Sequence, residues 1–156
     1  MKPAQMFPIA AALSAGLLAA CGGSSASAAT NYNATMAGAN ETPAVSTSAT
    51  GAATFAVTGD SIAYTINMTG LSGTPTGAHI HVGAVGVPGP VVIAFPGPFT
   101  SMTTITGTCD ATCLKTSSSI TSVADVLAQM KAGNAYANVH TAAHSGGEIR
   151  GQVAAY

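Results

Sequence analysis

The sequence predicts an all-β sandwich carrying one short helix, and three observations lead there. The 156-residue chain is 47% hydrophobic but only 6% charged, with 18 glycines, 8 prolines and no tryptophan. That is the balance of a globular domain of strands and turns, not of a charged disordered chain. Apolar residues alternate with Thr, Ser and Asn over several short runs, the period of a strand with one buried face. Gly59-Asp60 separates two such runs in the manner of a two-residue hairpin turn.

The chain begins with an address. Lys2 precedes an apolar run over residues 6–20 that is too short and too rich in Ala and Gly for a spanning helix and suits the hydrophobic region of a signal peptide. It ends in Leu18-Ala19-Ala20-Cys21, which resembles the bacterial lipobox, whose cysteine becomes the lipidated first residue of the mature protein. Residues 1–20 are then a lipoprotein signal peptide. Cys21 carries the lipid that holds the protein to a membrane, and residues 21–30 are a flexible Gly/Ser/Ala tether. The absence of an aspartate after Cys21 resembles the outer-membrane sorting pattern, so the expected location is the cell envelope, lipid-anchored at the outer membrane or periplasm. The alternative is an ordinary secretory signal cleaved near Ala29. The protein is exported on either reading.

Residues 31–156 follow as one domain, long enough for a core. A first strand over 31–38 is broken by Asn40-Glu41-Thr42-Pro43. Strands over 51–58 and 61–68 flank the Gly59-Asp60 turn, with Phe55 and Val57 on one and Ile62, Tyr64 and Ile66 on the other supplying apolar faces. A strand over 78–83 leads through Gly86-Val87-Pro88-Gly89-Pro90 to a wholly apolar strand over 91–95, which Pro96, Gly97 and Pro98 end. The Ser/Thr-rich stretch 100–119 reads as a hairpin or a long loop. One helix is expected after it, with Ser122 as N-cap, Asp125 at N3, Val123, Val126, Leu127 and Met130 at helical spacing, and Gly133 as the stop. Residues 134–141 and 148–156 close the domain as a hairpin through Ser145-Gly146-Gly147.

Composition narrows the function. The formal net charge is −1 and Lys2, Lys115, Lys131 and Arg150 are scattered, so there is no basic patch and no nucleic-acid partner is expected. The serines lack a nucleophile elbow, no phosphate-cradling glycine loop precedes a helix, and the five acidic residues form no acid/base pair. Hydrolase chemistry is not expected. With Cys21 given to lipid, Cys109 and Cys113 remain, spaced C-x3-C. In an oxidising compartment they read as a small disulfide pinning a loop; the alternative is a thiol pair for a soft metal such as Cu(I).

All four histidines fall in two stretches, Ala78-His79-Ile80-His81 and Asn138-Val139-His140-Thr141-Ala142-Ala143-His144. On a strand, side chains at i and i+2 share a face roughly 6.5–7 Å apart, so His79 and His81 can turn toward one ion. His140, in a strand-like setting, is the expected third ligand, and His144, across a turn, a candidate fourth. A set of neutral imidazoles without a carboxylate suits one copper or zinc ion, and the Irving–Williams order favours copper over zinc. The competing reading makes these histidines hydrogen-bonding residues that tie the sheet to the loop after Gly83.

Four separated motifs carry a family resemblance. Asn40-Glu41-Thr42-Pro43-Ala44-Val45, Ala78-His79-Ile80-His81, Tyr136-Ala137-Asn138-Val139-His140-Thr141 and Gly147-Glu148-Ile149-Arg150-Gly151-Gln152-Val153 together resemble the CHRD family, named after chordin, from about Tyr32 to Tyr156. The resemblance implies a Greek-key β-sandwich, immunoglobulin-like or Cu,Zn superoxide dismutase-like, and no settled activity. The dismutase also takes copper ligands from an H-x-H strand and a later histidine strand, which His79, His81 and His140 match. Its zinc subsite has no counterpart after His81, so a complete dismutase is not expected, and catalysis would be limited to copper redox chemistry. Arg150 either steers an anion toward a metal or pairs with Glu148 or Glu41. Two functions are carried forward: a copper-binding envelope lipoprotein, and a metal-free surface module that holds a protein or polysaccharide partner.

Overall fold

A computed structural model describes Met1, residues 30–117 and residues 119–156. The expected signal peptide beyond Met1, the lipid-bearing Cys21 and the tether up to Ala29 lie outside the described residues. The strands are β1 (Thr30–Ala37), β2 (Thr50–Thr58), β3 (Ser61–Thr69), β4 (Pro75–Val82), β5 (Val91–Ala94), β6 (Thr104–Cys109), β7 (Ala135–Thr141), β8 (Ile149–Gln152) and β9 (Ala154–Ala155), and the helix α1 spans Val123–Lys131. Among the described residues no helix is long and apolar enough to cross a membrane.

Local sequence explains most of these elements. β2 and β3 pair in register from Thr50↔Thr69 to Thr58↔Ser61, and the turn between them needs the positive φ of +57° that Gly59 supplies. Their inward residues Phe55, Val57, Ile62, Tyr64 and Ile66 are all buried, as the alternation predicts. The helix starts in a full capping box: Asp125 N–H donates to Ser122 Oγ, and Ser122 N–H donates back to the Asp125 carboxylate. Its buried side is Val123, Val126 and Met130, and Gly133 ends it with a φ of +72°.

All the pairing is antiparallel, in the order β5-β4-β7-β8-β1-β2-β3-β6, with β9 beside β1. The two edges nearly meet. Ile93 on β5 bridges Leu114, just past β6, and Lys115 N–H donates to Val92 O at 2.9 Å. The sheet therefore curls into a nearly closed sandwich or barrel around Met36, Phe55, Ile62, Ile66, Ile80, Ile93 and Ile149. Phe95 stacks on Tyr64 inside it, ring centres 4.1 Å apart.

Two stretches differ from expectation. Part of residues 100–119 is the edge strand β6, followed by a short 3-10 turn, Ala111–Cys113, in which Thr112 N–H donates to Asp110 Oδ1; Cys109 and Cys113 are joined by a disulfide with their Cα atoms 5.6 Å apart. The expected single strand over 148–156 is two strands. Val153 is buried and its N–H donates to Ala135 O, after which the chain pairs with β1 instead of β7.

The register of β4, β7, β8 and β1 places the functional residues. His81 faces Tyr136 and Tyr136 faces Gln152; His79 faces Asn138 and Asn138 faces Arg150; Gly77 faces His140, and Arg150 faces Ala37 on β1. Partners across a sheet share a face. Ala78, Ile80, Ala137, Val139 and Ile149 go to the core, so the polar set lines the opposite, outer face, beneath the loop of residues 83–90.

Candidate metal centre

One nitrogen from each of His79, His81 and His140 lies within 4.8 Å of the others. His79 and His81 share a strand face, and β7 brings in His140 opposite Gly77, one diagonal step from His79. A side chain at position 77 would crowd this corner, since a Cβ there would sit 3.0 Å from His79 Cε1. His79 Nδ1 and His140 Nε2 are 3.0 Å apart.

Backbone carbonyls set the tautomers. His81 Nδ1–H donates to Gly89 O at 2.9 Å and His140 Nδ1–H donates to Ser145 O at 2.9 Å. Each ring then carries its lone pair on Nε2, turned toward the other two histidines. In the metal-free protein His79 Nδ1–H donates to His140 Nε2; moving that proton to the other ring nitrogen frees Nδ1 as the third donor. Imidazole–metal bonds of about 2.0–2.1 Å put ligand nitrogens roughly 3.3–3.5 Å apart in tetrahedral or trigonal geometry, so the cluster fits one ion after small side-chain movements. Burial, then the neighbouring His140 and His81, push His79 down to about 4. Burial likewise lowers His81. Both rings are held neutral and available to a cation.

Asn138 completes the site, and reasoning from the sequence missed it. Its side chain is buried, and its Oδ1 lies 3.1 Å from His81 Nε2 and 3.2 Å from His140 Nε2. Both nitrogens are lone-pair acceptors. Presenting its NH2, the amide donates to His81 Nε2, while the His140 Nε2 lone pair is already taken by His79 Nδ1–H; half a turn of the terminal torsion interchanges the amide's oxygen and nitrogen. The signal was there in the period of the strand: Asn138 stands two residues before His140 and so shares its face.

Tyr136 was missed as well. Its ring stacks on His81, centres 4.7 Å apart and 9° from parallel, while the Arg150 guanidinium covers the other face at 3.4 Å. Gly89 N–H donates to the Tyr136 hydroxyl at 3.1 Å. A Cβ on Gly89 would collide with the Val82 carbonyl, so only glycine lets this loop approach closely enough for its carbonyl to hold His81.

Two expectations need correction. His144 does not join the cluster: it sits in the turn after β7, where its N–H donates to Thr141 O and its carbonyl accepts from Gly147 N–H, and its residue lines a separate hollow with Glu41 and Pro43. The turn that closes the hairpin carries it away from β4. Arg150 pairs with neither Glu148 nor Glu41. Its Nη2 donates to Ala84 O and Val87 O, whereas the Glu148 carboxylate accepts from Thr47 Oγ1–H, Ser72 N–H, Ser72 Oγ–H and Thr141 Oγ1–H. Burial works to raise Glu148, but the bonds from Ser72, Thr141 and Thr47 outweigh it and hold the carboxyl below its ordinary value.

The CHRD domain model matches residues 32–153. The chain belongs to the CHRD family. Within that CHRD domain all four resemblance motifs lie around this outer face or its flanking turns: Ala78–His81 and Tyr136–Thr141 build the cluster, and Arg150 and Gln152 clamp the covering loop. No curated protein and no solved structure matches the chain.

Proposed function

We propose that this CHRD domain binds one copper ion through His79 Nδ1, His81 Nε2 and His140 Nε2, and serves to hold or hand on copper at the cell envelope. The observation that carries the reading is the convergence of three nitrogens in one cluster, two of them on rings whose opposite nitrogens are anchored to backbone carbonyls. Anchoring of that kind is how proteins preset metal-ligating histidines, and it costs the sheet nothing when an ion enters. The donor set is neutral and nitrogen-only, which suits copper and, less well, zinc. Bound copper would supply a Lewis-acid and one-electron centre. The chain would supply orientation through Gly89 and Ser145, and partial exclusion of water through the half-buried His79 and the nearly buried His81.

The lipobox-like Leu18-Ala19-Ala20-Cys21 supports an exported, lipid-anchored location at the outer membrane or periplasm, where copper is handled outside the cytoplasm. The test is elemental analysis and copper titration of the purified protein beside its His79→Ala/His81→Ala variant. One tightly held copper, lost in the variant, is the expected result. Equal affinity and stoichiometry in both would return these histidines to the role of sheet hydrogen-bonding residues.

A further inference from the structure

The outer face that bears the histidines continues past the Tyr136–Arg150 stack into a second polar cavity. Its volume is about 500 Å3, and Asn33, Thr35, Asn40, Glu41, Arg150 and Gln152 line it. That size lies within the roughly 300–1,000 Å3 of small-molecule sites. We propose that this cavity is a binding site for a neutral saccharide unit.

The lining decides the chemistry. Arg150 is the donor end: Nη2 is committed to Ala84 O and Val87 O, while the rest of the guanidinium, laid flat on Tyr136, keeps N–H groups for a ligand. The amides form the acceptor end. Asn40 Nδ2 donates to Arg150 O, and Gln152 Nε2 donates to Gly83 O and Gly133 O, which leaves the oxygen of each amide for the cavity. Asn33 and Thr35 stand exposed on β1 and offer both donors and acceptors.

Glu41 excludes charged ligands. It lines the cavity within the electrostatic reach of Arg150, and its Oε1 is buried without a hydrogen-bond partner, turned onto Gly147. An anion drawn to Arg150 meets the Glu41 carboxylate; a cation drawn to Glu41 meets Arg150. A ring hydroxyl donates and accepts at once, so neighbouring hydroxyls of a sugar satisfy the donor end and the acceptor end together without bringing charge. Burial pushes Glu41 up to about 7, so its opposition to anions is partial near neutrality and becomes complete as pH rises above that value.

The test uses the full chain, labelled with nitrogen-15, titrated with glucose, galactose, mannose and N-acetylglucosamine, and separately with acetate and glycine. At least one sugar is expected to shift the Thr35, Arg150 and Gln152 amides saturably. Thr35→Lys fills the cavity from an exposed strand position and is expected to weaken that binding roughly tenfold or more, with Asn33→Ala as a second variant. Sugar binding is expected to be the same with and without added copper, which separates this site from the copper reading. Silence from all four sugars, tighter binding of acetate or glycine, or titrations unchanged in both β1 variants would overturn the assignment.

Discussion

Replacing Asn138 by alanine is expected to loosen the metal-free protein and tighten its grip on copper. The amide head lies 3.1 and 3.2 Å from two lone-pair nitrogens, His81 Nε2 and His140 Nε2. It therefore fills the place an ion would take. One full hydrogen bond, to His81 Nε2, at about 0.5–1.5 kcal/mol net sets the loss of metal-free stability at that size. In the copper-bound form those nitrogens face the metal and the amide has already been displaced, so the bound state loses little. By linkage, what the metal-free state loses the binding step gains: about 0.5–1.5 kcal/mol, or roughly 2- to 13-fold in affinity. Urea denaturation of the metal-free proteins reads the first term, and competition titration against a copper chelator reads the second. The two changes should match in size and oppose in sign. If stability and copper affinity fall together, Asn138 is a ligand through its oxygen and the reasoning fails; if neither moves, the amide makes no such contact.

Three further outcomes follow from the same geometry. Gly89→Ala pushes the covering loop off β4 and removes the carbonyl that anchors His81, so copper affinity should fall roughly 10- to 100-fold, read by the same titration, with unchanged affinity refuting the role given to that loop. Glu148→Ala removes the acceptor shared by Thr47, Ser72 and the buried Thr141 and should cost about 1–3 kcal/mol in urea denaturation, whereas Glu148→Gln, which keeps an acceptor oxygen, should cost about half of that. The Glu41 carboxyl, raised by burial from 4.5 to about 7 against the pull of Arg150, favours its protonated form in the folded state. Its contribution is complete below pH 4.5 and disappears as pH rises to about 7. Glu41→Gln removes that titration and should stabilise by on the order of 1 kcal/mol at about pH 8, after allowance for solvent screening of a partly exposed group, and by nearly nothing at about pH 5. A pH-independent difference in denaturation midpoint would contradict this.

The parts of the molecule legible in the sequence are those whose physics is local. Alternation in residues 51–58 and 61–68 placed Phe55, Ile62 and Ile66 inside because successive side chains on a strand point to opposite faces. Gly59-Asp60 marked the hairpin and Ser122 with Asp125 marked the helix start because turn and cap requirements act over a few residues. His79 and His81 were readable as a pair for the same reason. The stretch 100–119 was not readable: its edge strand exists because β3 and the closing edge of the sheet hold it, a contact no local pattern announces.

The site divides along the same line. The strand class, the hairpin, the capped helix, the family and the candidate ligands His79, His81 and His140 follow from the residues and their spacing alone. Long-range packing puts β7 beside β4 with His140 opposite Gly77, stands Asn138 between two imidazoles, and makes the turn after β7 carry His144 away. The same packing lays Arg150 over Tyr136 while Glu148 is satisfied by three hydroxyls and the Ser72 N–H. Register between strands far apart in sequence is chosen by the packing of the whole core, and a shift of one residue would turn every one of these side chains to the other face.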